Sequence, residues 1–434
     1  MTDAPLRIAL TSYRSKPHCG GQGVYVRQLS RALVGLGHAV EVFSGPPYPD
    51  LDEGVTLTRV PSLDLYREPD PFRIPKLSEF RDRNDLLEFL IMCTAGFPEP
   101  RTFSRRVVPL LRGRAAEFDI VHDNQTLAPA LLELAAAGLP LLSTIHHPIS
   151  VDRAIGLASA PLRKKLPLWR WYGFVRTQAR VARAIPLSVT PSRNSADDAV
   201  RDFGVRPEQL VTVPLGVDVE QFQPRGPRTP GRLVALCSAD VPLKGLSVLL
   251  RAVAGLPPES DAMLTVVTEP AEGGSTEKLI AELGIGHRVR FVSHLGPTEL
   301  AELMASAEIV CVPSLYEGFS LPAVEAMASG TPVVASDTGA IPEVVGRDGR
   351  CGVLVPPGDA GALGAAIDAL LRDPAKRQAM GAAARQRALE EFSWPVTARN
   401  TVDVYRRVIA LHERTAGTAS APASRAGARG ARAC

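Results

Sequence analysis

The stretch Ile309-Val310-Cys311-Val312-Pro313-Ser314-Leu315-Tyr316-Glu317-Gly318-Phe319-Ser320-Leu321-Pro322-Ala323-Val324-Glu325-Ala326-Met327-Ala328-Ser329-Gly330-Thr331-Pro332 contains a strand, a loop and a helix in succession. Ile309–Val312 is a short apolar run of the kind that fills a buried strand. Pro322 suits the first turn of a helix, where a missing N–H costs little. Pro332–Ala335 then reads as the next strand. Glu317 therefore falls in a loop at the carboxyl end of a strand, and Glu325 about one turn into the helix that follows. The amides of Gly318, Phe319, Ser320 and Leu321 are free of helical partners and face the same crevice, which makes an anion site suited to a diphosphate. A carboxylate in the loop accepts bonds from sugar hydroxyls, and one on the helix accepts from a ribose. A plain helix start with two solvated glutamates fits the spacing equally well.

The same strand–helix alternation extends outward in both directions. Leu6–Leu10 opens the chain as a strand and is followed by Cys19-Gly20-Gly21-Gln22-Gly23. Val24, Val26, Leu29, Leu33 and Leu36 then recur at helical spacing, Gly37-His38 stops the helix, and Ala39–Phe43 resumes as strand. Asp119–His122 and Leu139–Thr144 are further strand candidates. After Pro224-Arg225-Gly226-Pro227-Arg228-Thr229-Pro230-Gly231 a second series begins, with Leu233–Leu236, Met263–Val267, Val289–Val292 and Gly352–Val355 as strands. The fold class expected is α/β, with two Rossmann-like domains of parallel sheet covered by helices. The expected boundaries are 1–225 and 226–394, with an irregular insertion of loops and short helices at about 61–106, where Pro69, Pro71, Pro75, Pro98 and Pro100 interrupt the pattern. A final amphipathic helix is expected over 395–412, and residues 415–434, rich in Ala, Gly, Ser, Pro and Arg, are expected to be disordered.

Composition narrows the function. The chain has 434 residues, 45% hydrophobic and 22% charged, with 49 Lys and Arg against 46 Asp and Glu and a net charge of +3. That balance argues against nucleic acid as partner. Six cysteines are scattered with no C-x-x-C pair, as expected of reduced thiols in the cytoplasm. The N-terminus has no basic, then apolar, leader pattern, and no run approaches the ~18 apolar residues of a membrane span. Asp50-Leu51-Asp52 sits in a Pro-flanked loop and reads as surface, so no metal is expected. Gly20-Gly21-Gln22-Gly23 lacks G-x-G-x-x-G spacing, which disfavours a dehydrogenase.

Glu317 and Glu325 form an E-x7-E pair. With Gly318-Phe319-Ser320-Leu321-Pro322, Gly20-Gly21-Gln22-Gly23-Val24-Tyr25-Val26, Thr144-Ile145-His146, Pro214-Leu215-Gly216-Val217-Asp218, Pro242-Leu243-Lys244-Gly245 and Pro332–Glu343, the chain resembles the retaining GT-B glycosyltransferases of family 4, notably actinobacterial mannosyl- and glycosyltransferases. The resemblance spans nearly the whole chain except the tail. It implies two domains facing a cleft, with the last helix crossing back to the first. It implies transfer of a hexose from a nucleotide-sugar to a hydroxyl acceptor, the nucleotide-sugar being a co-substrate and no cofactor being required. GDP-mannose is the preferred donor, ahead of UDP-sugars, and the acceptor is an unassigned hydroxyl compound of lipid-linked or inositol type. By resemblance Glu317 holds donor-sugar hydroxyls, Phe319, Ser320 and Leu321 place amides near the diphosphate, and Glu325 binds the ribose. Lys244 is the cation on the leaving diphosphate, His146 is the active-site histidine, and Gly21 lets the N-terminal loop approach the phosphates. Asp123, Asn124 and Gln125 face the acceptor or cap their loop.

Two positions depart from the family pattern. Ser238 stands where an arginine usually precedes the lysine by six residues, leaving Arg290 or Arg14 as substitutes, and it keeps open a non-catalytic protein that binds nucleotide or glycan. Val267-Thr268-Glu269-Pro270 replaces a Gly-rich turn. A GT-B epimerase is a third alternative, against which the E-x7-E context argues. Residues 163–183, with Arg163, Lys164, Lys165, Trp169 and Trp171, are either a peripheral contact with the inner face of the membrane or a solvated helix face with buried aromatics.

If no other group replaces the missing cation, Ser238→Arg tightens binding of GDP by roughly 10- to 150-fold, the worth of one charged hydrogen bond. Calorimetric titration reads this, and an unchanged affinity would show that the charge is already supplied.

Overall fold

The computed structural model describes residues 4–16, 21–150, 153–154, 157 and 161–419. Two all-parallel sheets organise the chain. The first has the strand order β3-β2-β1-β4-β5-β6-β7. Its strands are β1 (Arg7–Ser12), β2 (Ala39–Ser44), β3 (Val55–Arg59), β4 (Ile120–Asn124), β5 (Leu141–Thr144), β6 (Ser188–Thr190) and β7 (Leu210–Thr212). The second has the order β10-β9-β8-β11-β12-β13. It contains β8 (Arg232–Ala235), β9 (Met263–Val267), β10 (Val289–Val292), β11 (Ile309–Val312), β12 (Val333–Ser336) and β13 (Gly352–Val355). The expected α/β class with two Rossmann-like sheets is thus observed. The three strands absent from the sequence reading, β3, β6 and β7, are the short or half-exposed ones: two are three residues long, and Val55–Arg59 has no fully buried residue.

Each sheet reverses its strand order once, between β1 and β4 and between β8 and β11. A crevice opens at such a switch point beyond the carboxyl ends of the strands. The loops leaving β4, β8 and β11 carry Gln125, Lys244 and Glu317, and the loop leaving β1 leads to the helix Gly21–Gly35, which begins at Gly21. The fold therefore delivers the candidate residues before any side chain is considered.

Apolar layers cover both faces of each sheet. In the first, Ile8, Leu10, Leu29, Leu33, Val42, Ile120 and Leu142 are fully buried on one side, and Val107, Leu111, Val121, Leu131 and Ile145 on the other. Each such side chain contributes roughly 1.5–3 kcal/mol by leaving water. Part of the first layer comes from the far end of the chain. The helix Trp394–Ala419 places Trp394, Ala398, Val402, Tyr405 and Val408 against it. It is pinned at its start by Val217 N–H to Phe392 O at 2.7 Å and Thr397 Oγ1 to Pro214 O at 2.9 Å.

Two expectations change. The last helix, expected to stop near His412, continues to Ala419, so Thr415–Ala419 is helical, while 420–434 lies outside the described residues. The prolines at 98 and 100 also act differently from a break: within the expected loops and short helices of the insertion, helices form at Arg83–Cys93 and Glu99–Gly113. Pro98 and Pro100 occupy the start of the second helix, where proline initiates rather than breaks.

A buried polar chain fixes the crossing helix. Tyr405 Oη lies 2.7 Å from His122 Nδ1, and His122 Nε2 lies 2.6 Å from Thr144 Oγ1, which is 3.1 Å from Tyr25 Oη. Burial holds His122 neutral, with its pKa pushed down to about 3. Tyr405→Phe leaves Nδ1 unpaired in a fully buried site and is expected to cost about 1–3 kcal/mol. Chemical denaturation measures it, and an unchanged midpoint would show that the imidazole has another partner.

Candidate active site

Glu317 is set by three contacts. Lys244 Nζ lies 3.0 Å from its Oε1, and Ser314 Oγ donates to the same oxygen at 2.8 Å. Its carbonyl accepts from Ala340 N at 2.9 Å, where Gly339 takes a left-handed φ of 53° and an added Cβ would stand 2.3 Å from that carbonyl. Lys244 ends a short 3-10 turn, Pro242–Lys244, and Gly245 follows at φ 67°. A Cβ at Gly245 would stand 1.9 Å from Pro313 O, so glycine alone lets the lysine loop lie on the strand that leads to Glu317.

The helix Leu321–Ala328 begins at Ser320, with Pro322 in its first turn. Among the described residues, the amides of Phe319, Ser320 and Leu321 have no hydrogen-bond acceptor. The Ser320 side chain is buried without a hydrogen-bond partner among the described residues. Phe319 packs edge-on to Phe392, 6.2 Å between ring centres, which fixes the loop from below. Glu325 lies in the body of this helix. Burial alone pushes its carboxyl up to about 8.

His146 follows β5. Its Nε2 is 2.8 Å from Asn124 Oδ1, its amide donates to Gln125 Oε1 at 2.6 Å, and its ring packs edge-on to Tyr25 at 4.7 Å. Asn124 Nδ2 faces Gln22 O and Ser12 Oγ, which turns Oδ1 to the imidazole and assigns the proton to Nε2. Burial, then the neighbouring His147, lowers the His146 pKa to about 3. The ring is therefore neutral at pH 7, with Nδ1 as an acceptor. Gln125, at a strained φ of 53°, also donates to His147 O at 2.8 Å. Asn124 and Gln125 thus hold the histidine loop. Asp123 is fully buried and bonds Thr11, Ser143 and the Leu127 amide.

The two halves meet at Gly318. A Cβ there would stand 3.3 Å from His147 Cβ and 3.6 Å from His146 O. The structure brings together Glu317, Gly318, Lys244 and the His146 loop. Among the described residues nothing lies within 4 Å of an added Cβ at Gly21, which leaves that side of the loop open, whereas a Cβ at Gly23 would meet Lys16 O at 2.0 Å.

Of the two arginines weighed as substitutes for the missing cation, Arg14 pairs with Glu99 at 2.9 Å, and Arg290 is exposed on the edge strand β10. Ser238 is exposed. Sequence reasoning missed Asp240, at φ 58°, which accepts from Ser275 Oγ, Thr276 N and Ala271 N and so fixes the loop around Glu269-Pro270. Those bonds hold its carboxyl down to about 2. The local sequence marks it only as an αL-tolerant Asp in a turn; its partners Ser275 and Thr276 lie 35 and 36 residues on. Asp52 is bound by Arg27 at 2.9 Å. In 163–183, Leu166 and Trp169 of the helix Leu162–Trp171 are exposed, as is Leu162 at the start of that helix, whereas Arg183 donates to Phe203 O. Among the described residues no helix is long and apolar enough to cross a membrane.

Two parallel sheets with E-x7-E at a switch point define a GT-B glycosyltransferase. The family model "Glycosyltransferase Family 4" matches residues 19–221, and "Glycosyl transferases group 1" matches 218–387. The MMP alpha-(1->4)-mannosyltransferase of Mycolicibacterium hassiacum is 59% identical over 93% of this chain and 99% of its own. A D-inositol 3-phosphate glycosyltransferase of Catenulispora acidiphila is 32% identical over 94% and 96%. Among solved structures, the sucrose-phosphate synthase of Thermosynechococcus elongatus superposes with a TM-score of 0.68 at 25% identity, covering 94% of this chain and all of that one. The chain belongs to glycosyltransferase family 4 and is a hexosyltransferase of that type.

The raised pKa of Glu325 has a stability consequence. An unfolded Glu loses its proton near 4.5, whereas the folded chain keeps it to about 8. Between these values a rise in pH favours the unfolded state. Glu325→Gln is expected to melt higher than wild type at pH 8, with the gap closing toward pH 5; an equal gap at both would refute the assignment.

Proposed function

We propose that the protein transfers mannose from GDP-mannose, with retention, to a hydroxyl of a glycan acceptor, forming an α-(1→4) bond. The observation that carries the transfer reading is Lys244 standing 3.0 Å from Glu317 at the open N-terminus of the helix Leu321–Ala328. A diphosphate leaving group gains negative charge, and an ammonium beside free amides lowers the energy of that charge as it forms. The mannosyl and α-(1→4) parts rest on the relative at 59% identity. GDP-mannose is an α-linked donor, so an α product requires retention.

In this reading Glu317 accepts bonds from the donor-sugar hydroxyls and the amides of Phe319, Ser320 and Leu321 hold the diphosphate. Glu325 accepts from the ribose. Neutral His146 offers Nδ1 to a sugar hydroxyl rather than acting as an acid. The acceptor oxygen forms the new bond at the anomeric carbon on the face from which GDP departs. The hydroxyl proton passes to the departing phosphate oxygen, so GDP leaves as the anomeric C–O bond breaks. Binding of a nucleotide or glycan without turnover is the competing reading, supported by exposed Ser238.

The test is titration with GDP, UDP and ADP, followed by incubation of GDP-mannose with mannose oligosaccharides and NMR analysis of the product. GDP binds best, the new linkage is α-(1→4), and Glu317→Gln lowers turnover at least 10³-fold. Binding of GDP with no transfer to any oligosaccharide supports the competing reading; near-wild-type turnover by Glu317→Gln removes the site assignment.

A further inference from the structure

The contacts that join the two halves at the candidate site converge on one short helix, Arg193–Asp198, which leaves β6. Its cap, Ser192, accepts from Ser195 N at 2.9 Å and donates its own hydroxyl to Gly318 O at 2.7 Å. The Ser195 hydroxyl lies 2.9 Å from the same Gly318 carbonyl and 3.0 Å from His146 O. Its single proton is shared between the two. Both serines are fully or almost fully buried, so water does not compete. From the second sheet's side, the Glu343 carboxylate takes the first two amides of the helix. Oε2 accepts from Arg193 N and Oε1 from Asn194 N, each at 2.8 Å. Tyr316 Oη, next to Glu317 in sequence, bonds Asp198 at the other end of the helix.

We infer that Ser192, Ser195 and Glu343 form a cross-domain clamp that positions the Glu317 loop against His146 during transfer. This rests on the reading of Glu317 and His146 given above. Glu317 O is held by Ala340 from its own domain and Gly318 O by the two serines from the other, so the peptide carrying the carboxylate is fixed on both sides. The same Ser195 hydroxyl reaches the His146 carbonyl, so donor-side and acceptor-side groups share one hydrogen-bond donor. Glu343 adds a charged acceptor on two free amides, a strong form of cap, and it does so only when the halves are together. The three side chains act through Gly318 and the His146 backbone, and they are positioning residues.

The experiment measures kcat and donor KM for Ser195→Ala, Ser192→Ala/Ser195→Ala, Ser195→Thr and Glu343→Gln in the full-length protein, beside Glu317→Gln and a thermal melt of each. The expected result is a 10- to 100-fold loss of kcat in Ser195→Ala and a larger loss in the double variant. Donor KM changes less than about threefold and melting stays near wild type. Ser195→Thr, which keeps the hydroxyl, returns to within about threefold. A role confined to folding would shift the melt and leave kcat of the folded fraction unchanged, which overturns the clamp. If the serine variants do not fold, Glu343→Gln, altered only at one carboxylate oxygen, carries the test with an expected fivefold or greater loss of kcat. Clamp variants within twofold of wild type, with Glu317→Gln inactive, overturn the clamp and leave the site standing. Activity retained in Glu317→Gln as well overturns both.

Discussion

A parallel sheet cannot be built from hairpins, so every strand must be entered from the same end. That constraint sends all connecting loops of one kind to the carboxyl edge, and reversal of strand order at β1/β4 and β8/β11 opens a crevice on each sheet there. The rest of the molecule follows from placing these two edges face to face. The lysine loop, the Glu317 loop and the histidine loop all leave carboxyl ends; Lys244 meets Glu317, and the histidine loop comes within contact distance at Gly318, where a methyl group would already crowd His147. Gly245 and Gly339 serve the same end, each allowing one backbone to lie against another where a side chain would intrude.

The charge arrangement is matched to a ligand that brings negative charge with it. Lys244 is partly exposed and satisfied by Glu317, so a bound diphosphate would have to share or draw off that ammonium. Glu325 is held toward its neutral form by burial, and hydroxyl bonds from a ribose would favour the charged form again. His146 and His122 are both kept neutral, so the first sheet offers dipoles and lone pairs rather than cations. Among the described residues placed at the site, the positive groups are Lys244 and the helix amides of the second sheet.

Periodicity alone exposed most of this plan. Buried strands such as Ile309–Val312 and Val333–Ser336 stand out because both faces are covered. β3, β6 and β7 were silent because they are short or half-exposed. The prolines at 98 and 100 misled because a helix start and a helix break use the same residue. At the site, Glu317, Lys244 and the free amides were legible from spacing and resemblance. Asp240, Ser192, Ser195 and Glu343 were not, because their roles depend on bonds to chain 30 to 150 residues away. Only backbone coordinates show that Gly23 is crowded, by the carbonyl of Lys16, while among the described residues the space around Gly21 is open.

The helix Trp394–Ala419 gives the chain a particular history during synthesis. Ile8, Leu10, Leu29 and Ile120 share a layer with Ala398, Val402 and Tyr405, yet nearly the whole second domain is translated between them. At roughly 5–20 residues per second, the first sheet waits on the order of tens of seconds on the ribosome with that face uncovered. The second sheet contains its own apolar layers and can close first. The domain that begins at the N-terminus is therefore the last to be finished, and a ribosome that stalls before residue 394 releases a protein whose first half is still open to aggregation.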